Sequence, residues 1–251
     1  MDLNSYIATV LFGYLLVVGR IGSAMMFLPG FGEAQIPVRA RLSFALVLCL
    51  ALYPVVPVVA GAPNTPTAMF LLLMAEITVG VWIGVTARIL LSAMDFAGYQ
   101  VGQVSGLANA FGPSLGSFEG ATLVATLLLI ATVALIFVTD THHIILRGMM
   151  ESYAVFPPGV IFAGDLAKQI VHAGSKSLYI GASIAAPFFV MGVILNLGMG
   201  LANRMMPQLP VFFVAAAMLI AVGLFILGVA APSMIHHWLG EFSSWFGLFR
   251  F

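Results

Sequence analysis

Three charged side chains lie inside long apolar stretches: Arg20, Glu76 and Arg88. A charge at membrane depth is costly and normally faces a protein interior or a watered path. Two kinds of chemistry fit such residues. One is a proton or ion relay. The other is structural, an Arg–carboxylate pair or a helix contact inside an assembly. Glu76 and Arg88 are 12 positions apart, which places them about 120° apart around a helix. They do not pair with each other, so each needs a partner elsewhere. A relay would show several ionisable groups in adjacent segments, whereas these are isolated, and the structural reading is favoured. His142–His143 and His236–His237 are the remaining candidates for chemistry. Adjacent histidines project about 100° apart on a helix, a poor geometry for chelation. No Cys, Glu or His cluster at ligand spacing accompanies them, so neither a metal nor a cofactor is expected. The chain has no nucleophile elbow, Walker loop, HExxH or dinucleotide fingerprint, and an enzyme is not expected.

The elements that must carry these residues are apolar. Hydrophobic residues make up 62% of the 251 residues and charged ones 7%, too few charges for a soluble surface and too little polarity for disorder. The reading is an all-α polytopic membrane protein. Zero formal net charge removes any basic patch for nucleic acid. The lone Cys49 excludes an internal disulfide and reads as a small buried hydrophobe. The N-terminus lacks a basic n-region and is expected to be retained. About six segments approach the 20 or so apolar residues needed to cross a bilayer. They are 6–28, 42–60, 68–94, 121–139, 178–201 and 211–231. Some are kinked or broken: Pro54 and Pro57 interrupt the second and Pro187 the fifth. Asp165 is the expected N-cap of a helix that continues into the fifth segment. Lys and Arg divide four against four between the two sides: Arg39, Arg41, Arg88 and Arg204 against Arg147, Lys168, Lys176 and Arg250. The positive-inside rule therefore assigns no orientation, which argues against an ordinary lipid-bound bundle.

Small residues recur at four-residue spacing. Gly80 and Gly84 follow Glu76, and Gly98, Gly102 and Gly106 form a second series. This spacing lets helix backbones approach closely, with Gln100 and Gln103 available for interhelical hydrogen bonds. Residues 104–120, VSGLANAFGPSLGSFEG, are too glycine-rich for a stable helix and too apolar for a solvated loop. A re-entrant loop or pore plug fits them, and an interfacial loop with apolar anchors fits equally.

The stretch GRIGSAMMFLPGFGEAQIPVRARL, Gly19 to Leu42 and including Arg20 and Pro29, resembles the FliR family of flagellar type III export-gate subunits. Glu76, Gly80 and Gly84 match its third segment. Ala97-Gly98 through Gln103 and Gly106, then Gly112-Pro113, resemble its plug-bearing region. Thr141-His142-His143, Glu151-Ser152 and Pro157-x-Gly159 resemble its middle connection. Pro187, Leu197-Gly198, Asn203-Arg204 and Met206-Pro207-Gln208 resemble its last hairpin. The likeness spans about residues 10–230. Many members carry Asp where this chain has Gly112, which weakens a charge role there but not a plug role. GFGEAQIPVRAR is closer to flagellar members than to those of virulence secretion systems.

The resemblance implies a FliP-like part over about residues 1–175 fused to a FliQ-like hairpin over about 176–251. It implies assembly with FliP-like and FliQ-like subunits, FlhB and FlhA, in the bacterial inner membrane at the flagellar basal body, with membrane lipid as a further contact. Unfolded flagellar proteins would pass the channel, and a plug comprising Gly106, Leu107, Phe111, Gly112, Pro113 and Leu115 would close it. Arg20, Pro29, Glu76, Gly80, Gly84, Gly98, Gly102, Gln103, Pro187, Arg204, Pro207 and Gln208 would serve helix and subunit packing. A small-solute secondary transporter is the less favoured alternative, because paired midplane charges and transporter-type repeats are missing.

Overall fold

The computed structural model describes residues 3–57, 63, 65–107, 123–205 and 211–247. Among these, regular structure is helical throughout. Helix α1 (Leu3–Val17) runs into a π-helical turn at Val18–Gly22 and a last α-helical turn at Ser23–Met25. Then follow α2 (Val38–Leu52), α3 (Pro66–Val104), α4 (Leu123–Val138), α5 (Thr141–Val155), α6 (Ala163–Met205) and α7 (Val211–Gly247).

Helix ends follow backbone chemistry more closely than hydropathy. α2 has 15 residues and stops before Pro54. At 1.5 Å per residue it is about 22 Å long, short of the roughly 30 Å hydrocarbon core. Among the described residues, four helical stretches are long and apolar enough to cross: Tyr6–Met25, Pro66–Val104, Ala163–Met205 and Ala215–Gly247. α4 and α5 form a fifth, broken candidate, bent by 75°. Conversely, α6 has 43 residues, about 65 Å, and α3 has 39; both far exceed what a bilayer requires. The expected polar connection over 140–177 is mostly helical, supplying all of α5 and the start of α6. Asp165 and Lys168 stand on an exposed face, where helical hydrogen bonding carries on regardless of polarity. Asp165 is a correction: α6 begins two residues earlier, so Asp165 lies in the first turn rather than at the cap. There its negative charge suits the helix dipole. Pro187 lies inside α6 without ending it.

Contacts divide the chain into two compact units interleaved along the sequence. One comprises Met1–Leu90, Ile136–Gly174 and Phe242–Phe251. The other comprises Leu91–Leu135 and Ser175–Glu241. The first unit is held by α1, its π turn, α2 and the first part of α3. Tyr14 donates from its hydroxyl to the carbonyl of Leu46 at 3.0 Å, and the fully buried Cys49 packs its thiol by the carbonyl of Val17. Trp82 donates its indole N–H to the carbonyl of Leu166 at 3.0 Å and meets Phe156 edge-on. In the second unit, Lys176 pairs with Glu241 at 3.0 Å. A Cβ on Gly181 would lie 2.9 Å from the carbonyl oxygen of Ala93, so α6 and α3 touch there through backbone.

Candidate functional site

The π turn is where the first unit concentrates its charge. A π turn widens the helix and most often appears as a single turn at a functional position. Here it buries Gly19, Arg20, Ile21 and Gly22. Arg20 reaches Glu76 with two parallel hydrogen bonds, from Nε to Oε2 at 2.7 Å and from Nη2 to Oε1 at 2.9 Å. Its Nη1 donates to the carbonyl of Ser152 at 3.2 Å, and the guanidinium carbon stands 4.0 Å from the centre of the Tyr153 ring. Both charged side chains are 1% exposed. A bidentate fork of this kind is the strongest protein ion pair and also sets the relative orientation of its two helices. The Tyr153 hydroxyl is buried with no hydrogen-bond partner among the described residues. The arrangement is closed rather than conducting: both carboxylate oxygens and all three guanidinium nitrogens of the fork are engaged.

Small residues allow the approach that the pair requires. A Cβ on Gly80 would run into both the carbonyl oxygen of Arg20 and the Ser23 hydroxyl. On Gly84 it would fall 2.6 Å from the carbonyl of Ala24, and on Gly19 it would press on Leu73. Ser23 seals the contact by donating towards the carbonyls of Arg20 and Ile77. Gly80 and Gly84 thus lie where the backbone of the first helix comes closest to α3.

Arg88 finds the other partner sought from sequence. Its Nη1 lies 2.6 Å from Oε1 of Glu33, with Arg88 43% and Glu33 9% exposed. Glu33 belongs to the turn after the buried Pro29, where Gly30 adopts φ +82. A Cβ on Gly30 would also strike the Phe137 ring at 2.7 Å. Arg41 donates from Nη2 to the carbonyls of Glu33 and Ile36, so the GFGEAQIPVRAR stretch is one folded turn tied by its own charges.

In the second unit the other glycine series marks the end of α3. A Cβ on Gly98 would overlap the Cα of Ala125 in α4. Gly102 is buried. Gly106 takes φ +70, a left-handed conformation that suits glycine and closes the helix. Beyond it a cavity of about 850 Å³ is lined by Gln103, Gly106, Phe189, Val193, Asn196 and Ile220, among others. Gln103 is exposed into it and has no side-chain hydrogen bond among the described residues. Leu107 is 1% exposed, packed within the chain and not presented as an apolar tip. Pro187 and Arg204 are exposed on α6, Arg204 in its last turn where a cation suits the helix dipole. Phe111, Gly112, Pro113, Leu115, Pro207 and Gln208 lie outside the described residues.

Sequence reasoning did not name Glu33, Ser152 or Tyr153 as partners. The pairing of Arg20 with Glu76 was within reach: of the nine acidic residues, Glu76 alone lies inside one of the apolar segments. Ser152 and Tyr153 act through a carbonyl and a ring face, which residue type alone does not announce.

Residues 11–245 match the family described as bacterial export proteins, family 1. The chain belongs to this family. It is 30% identical over 236 residues to the flagellar biosynthetic protein FliR of Caulobacter vibrioides, covering 93% of this chain and 94% of that one. It is 28% identical over 234 residues to FliR of Bacillus subtilis, covering 88% and 86%. The Yop proteins translocation protein T of Yersinia pestis is 29% identical over 234 residues, covering 89% and 87%. The likeness read over about residues 10–230 thus coincides with a family match that takes in the π turn, both glycine series and the α4–α5 bend.

Proposed function

We propose that this export-family chain is a core subunit of the flagellar type III protein export gate in the bacterial inner membrane. It would assemble with FliP-like and FliQ-like subunits, FlhB and FlhA, to form the channel for unfolded flagellar proteins. The observation that carries this reading is the similarity to FliR sequences across 93% of the chain. Two features of the molecule support it. Helices of 39 and 43 residues exceed a bilayer crossing. Large apolar side chains also stay exposed along them, including Phe70 and Leu71 on α3, Tyr179 and Leu197 on α6, and Phe225 on α7. Such surfaces suit burial against neighbouring subunits as well as lipid. On this reading the first 175 residues or so act as the FliP-like part and the remainder as the FliQ-like hairpin. No catalytic step is assigned.

The gate must pass an unfolded chain and hold back ions, which an apolar constriction does by dewetting. Phe111 and Leu115 are assigned that work, with Gly112-Pro113 shaping the segment. Gly106 and the buried Leu107 anchor its start at the end of α3. Deleting residues 106–116 is expected to leave the assembled complex intact and make membranes permeable to small ions, measured as conductance in reconstituted vesicles. Unchanged conductance, or loss of assembly, overturns the plug assignment. The similarity to a Yop translocation protein favours a second reading, a virulence secretion gate. Expressing the chain in a non-motile strain lacking its own FliR separates the two: restored swimming supports the flagellar assignment, and assembly without motility opposes it. A solute transporter gains nothing from the buried charges, which are taken up in a closed pair.

A further inference from the structure

The bend between α4 and α5 assembles a group of side chains to which neither the export reading nor the packing gives a chemical role. Asp140 sits at the turn in a left-handed conformation, φ +57, uncommon for a residue with a Cβ. It occupies the N-cap position of α5, where an aspartate ordinarily accepts from the helix amides, yet its side chain makes no capping bond. The carboxylate turns instead to His143, whose Nδ1 lies 3.6 Å from Oδ1. His142 lies beside His143, their ring centres 4.1 Å apart. One donor atom from each of Asp140, His142 and His143 lies within 4.8 Å of the other two. The 100° divergence expected of adjacent histidines is overcome because the carboxylate approaches from the preceding turn and the two rings lean together.

We propose that Asp140, His142 and His143 form a binding site for a borderline divalent cation of the Zn2+ class. Metal–ligand bonds near 2.0–2.1 Å require tetrahedral donors roughly 3.4 Å apart. The Asp140–His143 separation is almost there, and both side chains are free to close the rest, being 78% and 68% exposed. His142 is the positioned member. Its ring stacks obliquely on Phe137 at 5.4 Å, and its Nδ1 lies 3.5 Å from the carbonyl oxygen of Ile136. A neutral imidazole with its proton directed at that carbonyl keeps the other nitrogen's lone pair for a metal, the usual outer-sphere arrangement of a histidine ligand. Two imidazoles and one carboxylate select Zn2+, Ni2+ or Cu2+ over Mg2+ and Ca2+, which prefer oxygen alone. The fourth position faces solvent and takes water or a ligand from another subunit. Asp140 lies in the break and both histidines in the first turn of α5.

The test uses the full chain purified without a polyhistidine tag, with Zn2+ as probe in competition with a chromophoric chelator. One Zn2+ per chain is expected. His142→Phe keeps the ring packing on Phe137, and His143→Gln alters a side chain that is mostly in solvent. Each is expected to weaken binding at least about tenfold. The double variant His236→Ala, His237→Ala is expected to bind as wild type. Equal affinity of wild type and His143→Gln, or no Zn2+ retained by wild type, overturns the site. Equal loss in the His236, His237 variant overturns it as well.

Discussion

Replacing Glu76 by Gln leaves the fold's shape nearly unchanged and strips the charge from the closed fork around Arg20. Arg20 then remains 1% exposed with a neutral amide where two charge-assisted bonds had been. Removing one partner of a buried pair costs about 3–5 kcal/mol, because the other charge is left uncompensated. That is a factor of about 10² to 10⁴ in the folded fraction, and for a chain of this size a fall in Tm of about 6–20 °C. The carbonyl of Ser152 and the Tyr153 ring retain some hold on the guanidinium, which places the expectation towards the lower end. The assay is the loss of the monodisperse chromatographic peak after heating the full chain in detergent. The double variant Arg20→Met, Glu76→Leu should recover most of the loss, since two apolar side chains need no partner. Arg20→Ala should lower the yield of assembled complex more than it changes ion selectivity. A Glu76→Gln protein with unchanged Tm and yield, or one that assembles fully but conducts ions differently, would refute the structural reading and revive a relay.

The glycine contacts give a graded set. Gly80→Ala drives a methyl into the backbone of Arg20 and should cost about 1–3 kcal/mol or more; Gly98→Ala against Ala125 should behave similarly in the same heating assay. Gly174→Ala, with nothing within 4 Å of the added methyl inside α6, should instead raise stability by about 0.5–1 kcal/mol. Trp82→Phe removes the hydrogen bond to Leu166 while keeping most of the ring contact with Phe156, for a loss of about 1 kcal/mol. Arg88→Lys keeps the charge beside Glu33 at a half-exposed position, so its Tm should fall by less than a third of the Glu76→Gln change.

Much of this molecule is determined along the chain itself. Its few charges and abundant apolar residues require membrane-type helices, because a soluble surface would need more polarity. The 12-residue gap between Glu76 and Arg88 excludes their pairing on one helix, and the four-residue glycine spacing defines a narrow face, whatever the fold. Those relations follow from helix geometry, which is local. The tertiary structure decided everything that depends on distant residues meeting. Arg20 and Glu76 are 56 positions apart, and no local rule ties them or widens the helix at Arg20 into a π turn. Helix lengths also escaped hydropathy: α6 runs unbroken through Asp165, Lys176 and Pro187, because backbone hydrogen bonds join polar and apolar stretches alike. Leu107 reads in sequence as part of an apolar loop or plug and is buried in the fold, since burial depends on what packs around a side chain. The left-handed turn at Asp140 changes what His142 and His143 can do together. A helical wheel separates their rings, while a carboxylate arriving from a sharp bend gathers three donors into one small volume.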